Sequence, residues 1–283
     1  MDTLSRVSPL VLVKDGEGPP IVIAHGLSGM VQVAELAHHI RTPHPVYGIQ
    51  AKGVDGAEEP LHTVEEMASY YVDALEEISP NGLYMMGYSF GGLVALEMAQ
   101  RLQARGKKIL LLAMLDAYPH PQFLRLPIRM NLYVQRMKNH LQAMWNMPLR
   151  RAFDYFCAGV GRRIHFVKMR EEANSESETE PSLSLITDPK VMRVKQEAYK
   201  AYAHYQPKFY RGRVSFVTTE IKTFFPKDPA AVWRRLVQDL EVEVVKGDHL
   251  NIVTTEFESL ASVLTNFVER ADDHVETGCR VPF

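Results

Sequence analysis

Short apolar runs alternate along most of the chain with longer segments in which apolar residues recur at helical spacing. Several of the short runs contain almost no polar residue, which is typical of parallel strands that are buried on both faces. Strands that alternate with helices predict an α/β domain with a mostly parallel central sheet. The predicted strands occupy residues 9–13, 20–24, 46–50, 83–86, 109–115, 213–219 and 242–245, and the predicted helices occupy residues 31–40, 63–79, 93–102, 230–240 and 254–270.

Two short polar signals refine this pattern. Residues 14–18 read Lys-Asp-Gly-Glu-Gly and lie between the first two predicted strands. Such a turn-rich stretch between two apolar runs indicates a hairpin. Thr63 and Glu66 have the spacing of a capping box, which predicts that a helix begins directly after Thr63.

The alternation stops between residues 120 and 205, where no strand signal is evident. We expect this segment to be a helical lid inserted into an α/β core of residues 1–119 and 206–283. The alternative is that its helices complete the outer layer of the core, but the segment is much longer than ordinary connections in such folds. Its apolar residues at helical spacing include Met130, Val134, Met137, Leu141 and Met144.

Composition narrows the class of protein. Of the 283 residues, 46% are hydrophobic and the net charge is −2, so a large core is expected and nothing favours nucleic-acid binding. The two cysteines, Cys157 and Cys279, lie far apart without metal-type spacing, and the first residues contain no apolar signal region. No apolar run approaches the length of a membrane span. We therefore expect a reduced, cytoplasmic protein without a metal site or membrane contact.

One motif in the sequence indicates a catalytic function. Residues 87–91 read Gly-Tyr-Ser-Phe-Gly, a complete G-x-S-x-G that follows a predicted strand and opens a predicted helix. This is the context of a nucleophile elbow, in which a strained turn holds the serine hydroxyl clear of the backbone and small neighbours relieve the clash. The motif predicts that Ser89 is a nucleophile in an α/β-hydrolase fold. The plainer alternative is a serine that caps a helix on an ordinary turn.

An activated serine needs a base, and the base needs an acid that orients it. In this fold the chain order is serine, acid, histidine. His249 follows the last predicted strand on a glycine turn, and we take it as the base. Asp116 ends the strand after the elbow helix and is the favoured acid, while Glu220, which follows the strand at 213–219, is the alternative.

The loop that begins at residue 25 follows a buried strand and contains two glycines. In the α/β-hydrolase plan this loop supplies one oxyanion-hole donor, and the residue after the nucleophile supplies the other. We assign these donors to the backbone N–H groups of Leu27 and Phe90. His25 precedes the nucleophile in the chain, so we expect it to support the loop instead of acting as the base.

Several stretches together resemble the thioesterase domains that end nonribosomal peptide and polyketide assembly lines. The resemblance covers roughly residues 9–119 and 210–270 and does not include the lid. It depends on Val46-Tyr47-Gly48-Ile49-Gln50, the helix from Glu65 to Tyr71, Gly87-Tyr88-Ser89-Phe90-Gly91-Gly92, Met114-Leu115-Asp116-Ala117-Tyr118-Pro119 and Gly247-Asp248-His249.

The resemblance implies a specific activity. Ser89 would take an acyl, peptidyl or polyketide chain from the phosphopantetheine thioester of a carrier protein, and the protein would need no cofactor of its own. It also implies that Asp116, and not Glu220, completes the triad. Hydrolysis and cyclisation both remain open, and product release is favoured over editing.

Two features of this chain differ from that family. Ala117 stands where the family often has serine. No carrier segment is present in this sequence, so we expect either a protein that acts in trans or an excised domain. The competing functions are a lipase or esterase on free esters and a relative that binds a small molecule without catalysis; the complete set of Ser89, Asp116 and His249 argues against the latter.

The predicted lid suggests two further assignments. Its methionines and tryptophan would form an adaptable apolar surface for the acyl chain; packing of the lid on the core is the alternative. Residues 120–170 contain ten basic residues and one acid, Asp154, which favours docking of an acidic carrier protein. A solvated helix face, partly neutralised by the acidic residues 171–180, is the alternative. The candidate acyl contacts are Met130, Met137, Met144 and Trp145, and the candidate docking residues are Arg150, Arg151, Arg162 and Arg163.

Overall fold

A computed structural model describes residues 8–27, 31–76, 78–145, 188–222 and 225–276. Its centre is a sheet of seven described strands, of which only the first runs antiparallel to its neighbour. The strand order is β1-β3-β2-β4-β5-β6-β7. The predicted α/β architecture with a mostly parallel sheet is therefore confirmed. The strands are β1 Leu10–Lys14, β2 Ile21–Ala24, β3 Val46–Ile49, β4 Leu83–Tyr88, β5 Ile109–Leu115, β6 Tyr210–Thr219 and β7 Val237–Val245.

Helices cover both faces of the sheet. The described helices are α1 Val31–His39, α2 Val64–Leu75, α3 Phe90–Ala104, α4 Leu126–Trp145, α5 Pro189–His204, α6 Pro229–Trp233 and α7 Phe257–Glu276, with short 3-10 turns at Pro121–Phe123 and Asn251–Val253.

The core explains why the central strands are apolar throughout. On one face Ile21, Ile23 and Met86 pack in a cluster with residues of α1 and α7. Their neighbours along the strands point to the opposite face, where α3 contacts β4 and β5, and α2 packs on α3. Strands buried on both faces need apolar residues at every position, as the sequence has.

The first strand pairs differently from the prediction. The hairpin predicted for β1 and β2 is wrong, because β3 lies between them: Leu10 pairs with Ile49 antiparallel, while Ile21 pairs with Val46 in parallel. All four residues of β2 are buried, so this strand needs a partner on each side. A turn-rich connection signals a reversal of the chain, but it does not specify which strand is the neighbour.

The last strand is longer than predicted. The helix predicted at 230–240 ends at Trp233, and β7 begins at Val237. The reason is pairing, because β7 continues parallel to β6 from Val237, opposite Tyr210, to Val245, opposite Thr219. The backbone hydrogen bonds of this long ladder outweigh the local helical pattern of the sequence.

The start of α2 agrees with the prediction. The Thr63 side chain accepts a hydrogen bond from the Glu66 backbone N–H, and the Glu66 carboxylate accepts one from the Thr63 N–H. This capping box satisfies two of the N–H groups that a helix start leaves without intrahelical partners. It stabilises the helix that packs beside the elbow helix α3.

The chain divides into two compact units, Met1–Arg129 with Asp188–Phe283, and Met130–Thr187. Helix α5 belongs to the larger unit, and α4 is the described helix that reaches into the smaller one. A lid formed by residues 120–205 stays a prediction. Among the described helices, none combines the length and the apolar character that would be needed to cross a membrane.

Candidate active site

Ser89 lies on the tight connection between β4 and α3. Its φ of 55° is in the region that residues other than glycine rarely adopt, so the turn is strained. Close contacts make glycine necessary beside it. A side-chain carbon on Gly87 would lie 2.3 Å from the carbonyl oxygen of Gly91, and one on Gly91 would lie 2.3 Å from that of Ala24. The G-x-S-x-G spacing therefore follows from how closely this turn approaches the neighbouring backbone.

His249 connects the other two residues of the predicted triad. Its Nε2 lies 3.0 Å from Ser89 Oγ, and its Nδ1 lies 2.9 Å from Asp116 Oδ2. The carboxylate can only accept, so Nδ1 carries a proton and Nε2 is free to accept one from the serine hydroxyl. This is the arrangement in which a serine can be activated as a nucleophile.

The imidazole of His249 is held by aromatic neighbours. Tyr88, one residue before the nucleophile, stacks on it with ring centroids 5.1 Å apart, and Phe225 contacts it at 4.6 Å. The Tyr88 hydroxyl also donates a hydrogen bond of 2.5 Å to the carbonyl oxygen of His249. The Asp248 carboxylate instead accepts hydrogen bonds from the backbone N–H groups of Leu250 and Asn251.

Asp116 is the buried acid of the site. Its side chain is 0% exposed, and its φ of 46° again marks a strained backbone at a strand end. Thr218 and Thr219, at the end of β6, direct their hydroxyls toward the carboxylate at 3.3 and 3.5 Å. Burial opposes ionisation, but the hydrogen bond from His249 and the positive charge of Lys222 outweigh it and hold the pKa of Asp116 below its ordinary value.

Lys222 is a residue of this site that sequence reasoning missed. Its Nζ lies 2.7 Å from Asp116 Oδ1, and only 7% of its side chain is exposed. Burial lowers the pKa of Lys222, while Asp116 opposes that shift. In the sequence, Lys222 follows a strand end by three residues, and no motif there distinguishes it from a solvated lysine.

Glu220 is not brought into this cluster. It directly follows β6 and is exposed, and its backbone N–H donates to the carbonyl of Val245. The structure therefore places Asp116, and not Glu220, against His249.

The loop after β2 lies against the nucleophile. A side-chain carbon on Gly26 would lie 3.2 Å from Ser89 Cβ, so only glycine fits there without displacement. His25 Nδ1 donates to the carbonyl oxygen of Gly26 at 2.6 Å. In a trans peptide this carbonyl and the Leu27 N–H point in opposite directions, so the bond also fixes the direction of the N–H predicted as an oxyanion donor. Burial lowers the pKa of His25, against the effect of its backbone hydrogen bond.

An apolar cavity of about 330 Å³ adjoins this loop. Leu27 and Phe90, the two predicted oxyanion-hole residues, both line it. Its walls come from β3, α2, α3 and α5, all within the larger unit. Lining residues that carry apolar side chains include Ile49, Val54, Leu61, Met67, Val94 and Val194.

The residues predicted to contact an acyl chain belong to the smaller unit. Met130 and Met137 of α4 are about half exposed, and Trp145 at its end is almost fully exposed. The side chain of Met144 and the four arginines Arg150, Arg151, Arg162 and Arg163 lie outside the described residues. Their predicted roles stay predictions. Among the described residues, no group of three or more His, Cys, Asp or Glu side chains is arranged to hold a metal ion.

Comparisons with known proteins point to one family. The family model described as "Thioesterase domain" matches residues 19–268. Over 113 residues the chain is 39% identical to the dimodular nonribosomal peptide synthase of Bacillus subtilis (strain 168). This match covers 39% of this chain and 5% of that protein. Over 184 residues it is 30% identical to polyketide synthase PksR of the same strain. This match covers 63% of this chain and 7% of that protein. The chain thus spans only a small part of the length of these relatives.

Solved structures agree on the fold. The crystal structure of the NocB thioesterase domain from the nocardicin cluster has a TM-score of 0.61 and 22% identity, covering 93% of this chain and 100% of that one. That domain is also known as a covalent complex with a fluorophosphonate nocardicin G analog, with a TM-score of 0.60 and 23% identity, which covers 92% of this chain and 99% of that one. At this level of identity the likeness shows the fold, and the predicted α/β-hydrolase architecture is confirmed.

The choice of acid is directly testable. We expect Asp116→Asn to lower kcat by up to about 10,000-fold, because the amide favours the wrong histidine tautomer. Glu220→Gln should change kcat less than twofold in the same assay, because Glu220 is exposed away from His249. Steady-state kinetics on an acyl-pantetheine thioester measures both. The reverse ranking would assign the acid to Glu220.

The role of His25 is tested by a pair of substitutions. His25→Ala removes the hydrogen bond to Gly26, and we expect kcat to fall by up to about 100-fold, the low end of the cost of losing an oxyanion donor. His25→Asn keeps a donor near the Nδ1 position and should recover much of that loss. KM should change little in either variant, because the donor acts on the transition state. Equal losses in both variants would contradict this role.

Proposed function

The chain belongs to the thioesterase-domain family, and we propose that it releases an acyl, peptidyl or polyketide chain from the phosphopantetheine thioester of a carrier protein. The observation that carries the proposal is the position of His249, which lies within hydrogen-bond distance of both Ser89 and Asp116. A protein that only bound a ligand would not need this relay, with a strained serine and a buried acid.

Acylation would begin with proton transfer. His249 Nε2 takes the proton from Ser89 Oγ as the oxygen attacks the thioester carbonyl carbon. The backbone N–H groups of Leu27 and Phe90 donate to the oxyanion that forms. The C–S bond then breaks, the thiol leaves with the proton from His249, and an ester on Ser89 remains. Asp116 keeps the imidazole in the required tautomer and stabilises its protonated form.

Release would repeat this sequence with a new nucleophile. His249 accepts a proton from water or from a hydroxyl or amine on the acyl chain itself, which attacks the ester on Ser89. Attack by water yields a free acid, and attack by the chain yields a ring. Which one prevails depends on how far the bound chain excludes water from the ester.

The apolar cavity supports an acyl substrate. It adjoins the predicted oxyanion donors, so a chain whose carbonyl reaches them can extend along apolar walls. Its volume of about 330 Å³ is at the small end of the range for small-molecule sites, about 300 to 1,000 Å³. We assign the first part of the acyl chain to this cavity. That Met130, Met137, Met144 and Trp145 also contact an acyl chain is a separate part of the proposal.

The proposed partner is a carrier protein. Such partners are acidic, and the chain has an excess of nine positive charges between residues 120 and 170. Docking through Arg150, Arg151, Arg162 and Arg163 would be electrostatic, and exposed charges are screened over about 10 Å at 0.1 M salt.

A substrate panel tests this function. One acyl group is offered on a carrier protein, on pantetheine, on coenzyme A and as a simple oxygen ester. We expect the highest kcat/KM on the carrier, and a KM that rises with salt for the carrier and stays constant for pantetheine. Changing the four arginines to serine should raise only the KM for the carrier.

Other outcomes of the panel would redirect the proposal. A preference for the oxygen ester would identify an esterase or lipase. Absence of turnover on all four substrates, with no labelling of Ser89 by a fluorophosphonate, would indicate a protein that only binds.

The cavity assignment makes a separate prediction. Val194 of α5 lines the cavity, and Val194→Phe should fill part of it. We expect kcat/KM for a medium-length apolar acyl-pantetheine to fall by roughly 10- to 200-fold, the cost of misfitting about one methylene group. Turnover of acetyl-pantetheine should be nearly unchanged. Met192→Phe, at an exposed position of the same helix, is the control. Equal losses on both chain lengths would contradict the assignment.

A further inference from the structure

Lys222 shares the acid of the triad with His249. The two oxygens of the Asp116 carboxylate have different partners: Oδ2 faces His249 Nδ1 at 2.9 Å, and Oδ1 faces Lys222 Nζ at 2.7 Å. The side chains of Asp116 and Lys222 are 0% and 7% exposed, so water screens their charges little. The ammonium group of Lys222 therefore lies directly beside the carboxylate that orients His249.

The need for a hydrogen-bond donor to Asp116 does not by itself explain why residue 222 is a lysine. The carboxylate already faces Thr218 and Thr219 hydroxyls in addition to His249. A neutral donor at position 222 would complete that set without the cost of taking an ammonium group out of water. Lys222 also contacts both threonine hydroxyls and lies over the Tyr118 ring at 5.7 Å, so its head group is held in one place.

We propose that Lys222 is a positioning residue that sets the charge of the triad, because its ammonium group cancels part of the negative charge through which Asp116 favours the protonated form of His249. The proposal rests on the proposed function, since it assumes that His249 is the base. It extends that function by assigning Lys222 control over the pH range in which Ser89 is reactive.

Other titratable groups face this pair, and each differs from Lys222. Tyr88 of β4 and Tyr118 after β5 lie nearby, and burial is the main reason that the pKa of each is raised, so both remain neutral. The carboxylate of Asp248, beside His249, accepts hydrogen bonds from backbone N–H groups. The negative charge of Asp228 contributes to the raised pKa of Tyr118. Of the described groups that contact the Asp116 carboxylate, Lys222 is the one that brings an ammonium group.

The sign of the effect follows from the charges. Without the ammonium group, the full negative charge of Asp116 acts on the imidazole and favours its protonated form, which cannot accept the Ser89 proton. The carboxylate itself also becomes easier to protonate, because Lys222 contributes to the lowered pKa of Asp116. Both effects move the acid limb of the rate profile to higher pH. We expect a shift of about one unit, the low end of what a neighbouring charge does to the pKa of a titrating group.

The experiment measures how fast a fluorophosphonate probe labels Ser89 between pH 4 and pH 9. Lys222→Met removes the charge, and Lys222→Gln removes it but keeps a hydrogen-bond donor for Asp116. Lys222→Arg keeps the charge. Lys246→Met is the matched control, because Lys246 is an exposed lysine three residues before His249. Thermal unfolding of each variant is recorded in parallel.

We expect the acid limb to move up by about one unit in the Met and Gln variants and to stay in place in the Arg variant and the control. If Lys222→Met does not fold, the acid limb of Lys222→Gln tests the proposal. A lower melting temperature with an unchanged acid limb would overturn the proposal and make Lys222 a structural ion-pair partner. Labelling needs no thioester, so a wild-type protein that is labelled but does not cleave acyl-pantetheine would instead count against the proposed function.

Discussion

The site depends on one buried carboxylate. Asp116 has lost its contact with water, and it remains ionised because His249 and Lys222 donate to its two oxygens, with two threonine hydroxyls beside them. A buried charge without such partners would be strongly destabilising. The same contacts that stabilise the charge also orient the imidazole toward Ser89. The contacts that keep this buried charge stable are therefore also the contacts that set the geometry of the candidate triad.

The sheet explains how these residues meet. Strands β4, β5, β6 and β7 are neighbours and run parallel, so their carboxyl ends lie at one edge. Ser89 follows β4, Asp116 follows β5 and His249 follows β7 by a short turn, while Lys222 follows β6. Ligands of open α/β sheets bind at this edge. Residues separated by up to 160 positions in the chain thus come together without a long loop.

Much of this arrangement was predictable because its signals are local. The glycines around Ser89 reflect contacts within one turn, and the capping box at Thr63 lies within four residues. Asp116 directly follows a predicted strand, and His249 follows one after a short glycine turn. The failures concern long-range pairing. The turn at 14–18 does not reveal that β3 separates β1 from β2, and the ladder to β6 that makes residues 237–240 a strand joins distant segments. Lys222 was missed because its burial depends on Asp116, which lies 106 residues earlier in the chain.

The proposed release requires that Ser89 carries the chain for part of each turnover, and mass spectrometry can detect this adduct. The protein is mixed with an acyl-pantetheine, quenched within a turnover and digested to locate any adduct. We expect the mass of one acyl group to be added at Ser89 and to be lost with time. Ser89→Ala, with an unchanged melting temperature, should show no adduct. Turnover without an adduct at Ser89, or turnover retained in Ser89→Ala, would contradict it.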